Sequence, residues 1–346
     1  GCYISIFPLP PMTRAIPVEL WDNVASCLRA HDLASLALVD AHLSSIALRA
    51  LYRDIVISRS RLPGHASLST LILLSRRRDL SSYVRHFSLN LFSGKDATPG
   101  PLGAFYRQLA IALSSMPGLI TLDLAVDETA GWILPGNLMY PRLQSFSSSF
   151  PLDARVLRWL ANVPVLRALQ VGDSPSLSPT LAVPPMPRLA EVTGCAEAVA
   201  ALVPGNPVES IFISAGDFTE LTAAALAQST TPIAALSLAT SSAPLPLLET
   251  LGRYLPSIIY LQITSTCNLP APSLNIFYEQ MGSALTAFPD LQSFQLSGMY
   301  WMSSKHPKHD HRVWQSHLST TNNATDISTA HPLMNEDLYS ADFFFS

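Results

Sequence analysis

Apolar residues return in a fixed phase along most of this chain. A proline followed by L-x-x-L-x-L, or a close relative, reads MPGLITLDL (116–124), YPRLQSFSS (140–148), VPVLRALQV (163–171) and MPRLAEVTG (186–194). It continues as NPVESIFIS (206–214), TPIAALSLA (231–239), LPSIIYLQI (255–263) and FPDLQSFQL (288–296), with YVRHFSL (83–89) as an earlier member lacking the proline. The first apolar residues are Leu119, Leu143, Leu166, Leu189, Val208, Ile233, Ile258 and Leu291, at intervals of 24, 23, 23, 19, 25, 25 and 33. The last two apolar positions of each motif lie two residues apart, which places them on one face of a short strand. The segments between read as helices: FYRQLAIALSSM (105–116), DARVLRWLANV (153–163), GDFTELTAAALAQ (216–228) and LPLLETLGRYL (245–255). In the second of these, Val156, Leu157, Leu160 and Val163 form one apolar stripe. The recurrent proline disfavours helix in the residue before it and so stops each return segment.

A period of this length with this motif resembles the leucine-rich repeats over roughly residues 80–300. The resemblance implies an α/β fold, an irregular solenoid of parallel strands with helices on the convex side, assigned to residues 58–302. The family's Asn or Cys, three residues past the last apolar position, is replaced here by Asp127, Pro151, Ser174, Glu197, Gly216, Ser241, Thr266 and Met299. No asparagine ladder is therefore expected, and the curvature should be uneven. The residues between the inward positions form an almost neutral, hydroxyl-rich face whose only large aromatic residues are Phe212 and Tyr260. With Gln170, Gln262 and Gln295 they mark a candidate client-binding surface. The plainer reading makes them ordinary exposed positions.

Residues 14–57 have a different rhythm. Pro17 suits a first helical turn, Leu20, Val24 and Leu28 recur every fourth residue, and Asp32 is placed to cap a second helix carrying Leu33, Leu36 and Ala37. Leu43, Ile46, Ala47, Ala50 and Leu51 make a third helix, and Ile55 and Ile57 alternate as a strand. The I-P-x-E-L-W opening, the D-L-x-S-L-x-L-V centre and the closing A-L-Y resemble an F-box. Together with the repeats, the chain resembles the fungal type of F-box protein with a leucine-rich-repeat array. The resemblance implies a substrate-recognition subunit of a Skp-cullin-F-box type ubiquitin ligase, with no chemistry of its own. It implies assembly with a Skp-type adaptor and the cullin ligase core, with the adaptor contacted through Pro17, Leu20, Val24, Leu28, Leu33 and Leu36. Val39 is a weaker contact, and Trp21 belongs either to the core or to the interface. The competing reading makes these helices a cap on the apolar end of the first repeat.

Composition narrows the alternatives. Charged residues make up 13% of the 346, and the formal net charge of −4 gives no electrostatic argument for nucleic acid or an anionic membrane. Four dispersed cysteines without a CxxC favour reduced thiols and a cytoplasmic or nuclear location. Residues 221–248 hold no charge, but nine Ser/Thr/Gln residues and three prolines argue against a membrane span. Val171-Gly172-Asp173-Ser174 resembles the G-D-S start of one hydrolase family. Without the family's later histidine and asparagine segments, it reads as a strand-exit turn. Arg76-Arg77-Arg78 reads as a solvated helix end. Residues 1–13 read as extra or disordered sequence. Residues 303–346 hold five of the nine histidines and read as a polar, disordered tail, in which His306, His309 and His311 have no metal-binding framework. No metal or cofactor is expected.

Overall fold

A computed structural model describes residues 17–58, 64–91, 103–174, 183–265, 274–305 and 312–318. Helices α1 (Val18–Ser26), α2 (Ala30–Leu36) and α3 (Ala41–Leu51) come first. The strands are β1 (Asp54–Ser58), β2 (His86–Asn90), β3 (Thr121–Ala125), β4 (Ser145–Ser148), β5 (Ala168–Gln170), β6 (Glu191–Cys195), β7 (Ser210–Ala215), β8 (Ala235–Thr240), β9 (Tyr260–Ser265), β10 (Ser293–Leu296), β11 (Met299–Lys305) and β12 (Arg312–Leu318). Between them run α4 (Gly64–Arg76), α5 (Arg78–Ser81), α6 (Gly103–Ser114), α7 (Ala154–Leu160), α8 (Ala196–Leu202), α9 (Glu220–Leu226), α10 (Pro244–Tyr254), α11 (Leu274–Leu285) and the 3₁₀ turn η1 (Glu128–Ile133).

All twelve strands join one sheet in simple chain order. From β1 to β10 every pairing is parallel, which gives a mixed α/β, solenoid-like fold. Register follows the aliphatic motif. Ile55, Phe87, Leu122, Phe146, Leu169, Val192, Ile211, Leu236, Leu261 and Phe294 stand in one unbroken row, each paired with the next. Leu119, Leu143, Leu166, Leu189, Val208, Ile233, Ile258 and Leu291 are all buried one turn ahead of it. Helix residues such as Leu109, Val156, Leu160, Val199, Leu226 and Leu251 seal the row from the other side in the same hydrophobic cluster. A one-residue slip of any coil would turn its whole apolar set outward, so burial fixes the register.

Local chemistry starts and ends the coils. Asp153 caps α7 by accepting from the N–H groups of Arg155 and Val156, Asp127 accepts from Thr129 N at η1, and Thr219 forms a capping box with Thr222 on α9. Gly172 leaves β5 with its N–H donating to the Phe150 carbonyl (2.7 Å), and a Cβ there would lie 2.2 Å from the Ser149 carbonyl oxygen. One asparagine does tie coils together. Buried Asn206 accepts from Met186 N (2.8 Å) and donates to the Leu202 carbonyl (2.7 Å), while its own carbonyl accepts from Ser229 Oγ (3.0 Å).

The sequence reading needs three corrections here. The polar tail assigned from residue 303 begins inside a strand: β11 reaches Lys305, and β12 pairs with it antiparallel, Ser303 opposite Trp314. The chain reverses at Ser297 (φ 45°) and Gly298 (φ 87°), a two-residue turn that needs both residues in the left-handed region. Buried Trp301 then packs on Phe294 at 5.2 Å between ring centroids, and Trp314 rests against the same core. Those two tryptophans, with Met299, pack the hairpin against the end of the core. Second, Ile55 and Ile57 belong to the solenoid core and not to the helical module. Third, α2 starts at Ala30, so Asp32 lies in its first turn instead of capping it, and no side chain caps that helix. Residues 1–13 and 319–346, with His306, His309 and His311, lie outside the described residues.

Substituting Asn206→Ala removes one donor and one acceptor from a buried site and should cost about 1–3 kcal/mol. Chemical denaturation of the full chain measures this, and a loss below about 0.5 kcal/mol would show that water replaces the ties.

Candidate functional site

Two surfaces stand out, one on the helices and one on the sheet. The three helices enclose a core of their own, made of Ala25, Leu33, Ile46 and Ala47, with Trp21, Leu28, Leu36, Ala37, Ala50 and Leu51 packed around it. This core is separate from the solenoid core. Arg49 Nη2 reaches Asp22 Oδ1 at 3.3 Å and clasps α3 to α1, and Asp40 caps α3 by accepting from Leu43 N (2.8 Å). A core this small leaves apolar side chains outside. Leu20 is 52% exposed, Val24 48%, Leu38 88% and Val39 65%. Pro17 also lies on the surface.

These placements revise the proposed contact set. Leu33 is buried in the helical core and is not available to a partner, because α2 needs one residue to anchor it on α3. Leu28 and Leu36 are half-buried against that core, and Trp21 is part of its packing. Sequence reasoning missed Val18 and Leu38. The every-fourth-residue rule marked an apolar face on α1, but that face points outward while Ala25 faces in.

The open face of the sheet carries two registered rows. One runs Asp54, His86, Thr121, Ser145, Ala168, Glu191, Ser210, Ala235, Tyr260, Ser293. The other runs Val56, Ser88, Asp123, Ser147, Gln170, Thr193, Phe212, Ser237, Gln262, Gln295, Tyr300. Four of the five candidate residues, Gln170, Phe212, Gln262 and Gln295, therefore share one row, with Tyr260 in the row beside it. Phe212 is the most exposed of them, at 42%, and Val56 and Tyr300, which the sequence reading did not include, extend the apolar character to both ends.

Hydrogen bonds rung by rung hold this face in place. His86 Nδ1 lies 3.0 Å from Thr121 Oγ1, Ser88 Oγ donates to Asp123 Oδ2 (2.9 Å), Ser147 Oγ to Gln170 Oε1 (3.1 Å) and Ser237 Oγ to Gln262 Oε1 (3.3 Å). Gln170 and Gln262 thus work partly as inter-coil ties, and Phe212 and Tyr260 are the larger side chains among the five candidates. Burial raises the Asp123 carboxyl above its ordinary value, an effect partly offset by the Ser88 and Ser147 hydroxyls, and burial raises Glu191 as well.

The remaining chemical candidates fall to structural roles. Ser174 Oγ donates to Glu128 Oε2 (2.6 Å), and Asp173 accepts from Ser214, so the G-D-S turn ties the β5 coil to the coils two places away on either side. Arg77 forms a two-pronged pair with Asp79 between α4 and α5, which holds that exposed carboxyl down to about 2. Residues 221–248 divide among α9, β8 and α10, and among the described residues no helix is long and apolar enough to cross a membrane. No group of three or more metal-ligating side chains occurs among them either. No protein-family model matches the chain, and no curated protein matches it.

Because the folded sheet favours the neutral form of Asp123, this residue subtracts stability above its raised pKa and nothing below the ordinary carboxylate value. Asp123→Asn, which can still accept from Ser88, should therefore raise Tm near neutral pH. The gain should shrink as pH falls towards about 4. A melting series across pH that shows a constant or growing gain at low pH contradicts the assigned burial effect.

Proposed function

We propose that this chain is the substrate-recognition subunit of a Skp-cullin-F-box type ubiquitin ligase, holding the adaptor on its helices and a protein client on its repeats. The observation that carries this reading is the set of apolar side chains left uncovered on a helical unit that already has its own core. Helices that merely capped the array would turn those residues onto the first coil. Here the first coil's Ile55 and Ile57 share their core with Leu71 and Leu74 of α4 instead. Exposed Val18, Leu20, Val24, Leu38 and Val39 then need another partner.

The likeness of I-P-x-E-L-W and D-L-x-S-L-x-L-V to an F-box supports the identity of that partner, and the in-register coils fit a leucine-rich-repeat array. The adaptor contacts become Pro17, Leu20 and Val24, with Leu28 and Leu36 contributing their exposed edges, while Leu33 acts from within the core. The open sheet face is a broad, rigid platform, and rigid presentation limits the entropy lost when a client docks. Such a receptor does no bond chemistry. It raises the effective concentration of a client lysine near the ubiquitin-loaded enzyme, and it works in the cytoplasm or nucleus, where that machinery operates.

Replacing the exposed pair, Leu20→Asp with Val24→Asp, should weaken adaptor binding by about tenfold or more and leave the melting temperature almost unchanged. Copurification and calorimetry of the full chain with a Skp-type adaptor provide the measurement. Undiminished affinity would reject the surface. Leu33→Ala should behave differently, costing about 2–5 kcal/mol of stability. On the client side, Phe212→Ala with Tyr260→Ala should reduce recovery of copurifying client proteins while adaptor recovery holds. Equal client recovery removes these two residues from the site.

A further inference from the structure

Just ahead of the strands, a second backbone ladder runs the length of the sheet. The N–H of Arg85 donates to the Arg53 carbonyl (2.8 Å), Ile120 to Arg85, Gln144 to Ile120, Arg167 to Gln144 (2.7 Å) and Ala190 to Arg167 (2.8 Å). This stacks Arg53, Arg85 and Arg167 along one rim, and Arg142 and Arg188 lie two residues before Gln144 and Ala190 in the same turns. Five of the first six coils' entry turns thus carry an arginine on this rim. Arg53, Arg142, Arg167 and Arg188 are exposed, and none of the five has a carboxylate partner among the described residues. Arg85 lies deeper and spends its guanidinium on the carbonyls of Ser82, Val84 and Gly118. Burial, followed by the neighbouring charges of Arg142 and Arg53, pushes it below its ordinary value.

We infer that this rim binds an extended acidic segment of a client polypeptide, its carboxylates spread along the arginine row at no more than about one per coil. The inference rests on the reading of the chain as a receptor for protein clients and adds the chemistry of what it selects. Like charges held side by side without counter-ions are stabilised by an anionic ligand. With coils about 4.8 Å apart, Arg53 and Arg188 stand roughly 24 Å apart, a span matched by about eight residues of extended chain. One cation per coil suits single charges spread along a peptide better than one concentrated dianion. A nucleic acid fits less well: wider and charged at every nucleotide, it would overlie Asp54, Asp123 and Glu191 on the open face beside the rim, whose two rows between β1 and β10 hold no lysine or arginine, whereas a single extended peptide can keep to the rim.

The test uses the full chain and a fluorescein-labelled peptide of about ten alternating Glu and Ser residues, read by anisotropy. Binding should weaken as salt rises. The variant R53Q/R142Q/R167Q, which leaves Arg85 and its backbone bonds intact, should bind about tenfold more weakly or worse. R107Q/R155Q/R158Q, which removes the same charge from exposed helix positions, should bind like the parent. Absent binding, or equal losses in both variants, overturns the inference. So does tighter binding of a short single-stranded DNA, or of a peptide whose only charge is one phosphoserine. Adaptor copurification with the rim variant, measured in parallel, separates failure of this site from failure of the ligase reading: the rim substitutions leave adaptor binding intact if the helices hold it.

Discussion

The in-register stacking of one inward row of side chains, from Ile55 through Phe294, governs the rest of this structure. Parallel strands pair through evenly spaced hydrogen bonds and need cover on the inward face. Each coil provides it by sending a helix or turn back over the row before the next strand begins. A fully buried leucine contributes about 1.5–3 kcal/mol, and that gain depends on the neighbouring coils being present. Stability is accordingly shared between adjacent coils and does not reside in any single one. The polar rungs from Ser88 to Asp123 and from Ser147 to Gln170 add alignment more than energy, since each hydroxyl gives up water to make its bond.

Both ends of the array solve the same problem by different means. At the start, Ile55 and Ile57 of β1 lie in one core with Leu71 and Leu74 of α4, and the helical module keeps to its own four-residue core. At the finish, the Ser297–Gly298 turn reverses the chain, and an antiparallel hairpin carrying Trp301 and Trp314 takes the place of a further coil. An exposed parallel edge invites pairing with other chains. Here the outer edge of β10, the last parallel strand, is paired by β11.

Much of this was legible in the sequence because the motif couples proline, strand period and helix length. The inward rows, the strand order and the outward partners, down to Gln170 beside Thr193 and Gln262 beside Gln295, follow from that period alone. The tail was misread because composition outweighed alternation: QLSGMYW contains a Ser-Gly turn between alternating residues, but the histidines and lysines that follow lower the mean hydropathy. The helical contacts were partly misread for a physical reason. A four-residue spacing identifies an apolar face but not which neighbour covers it, and with so few residues the module turns Ala25 inward and Leu20 and Val24 outward. The arginine rim is scattered over residues 53 to 188 and emerges only once the coils are stacked.

Only Tyr52 and Arg53 lie between the end of α3 and the start of β1, and the Arg53 carbonyl is already engaged by the amides of Arg85 and His86. The joint therefore has almost no slack. Under the proposed function, a partner on the outer helices and a client on the repeats would be joined through this two-residue link. Selection among acceptor sites on such a client would then depend on how far so short a link lets the two swing, with no long tether to bring distant ones in.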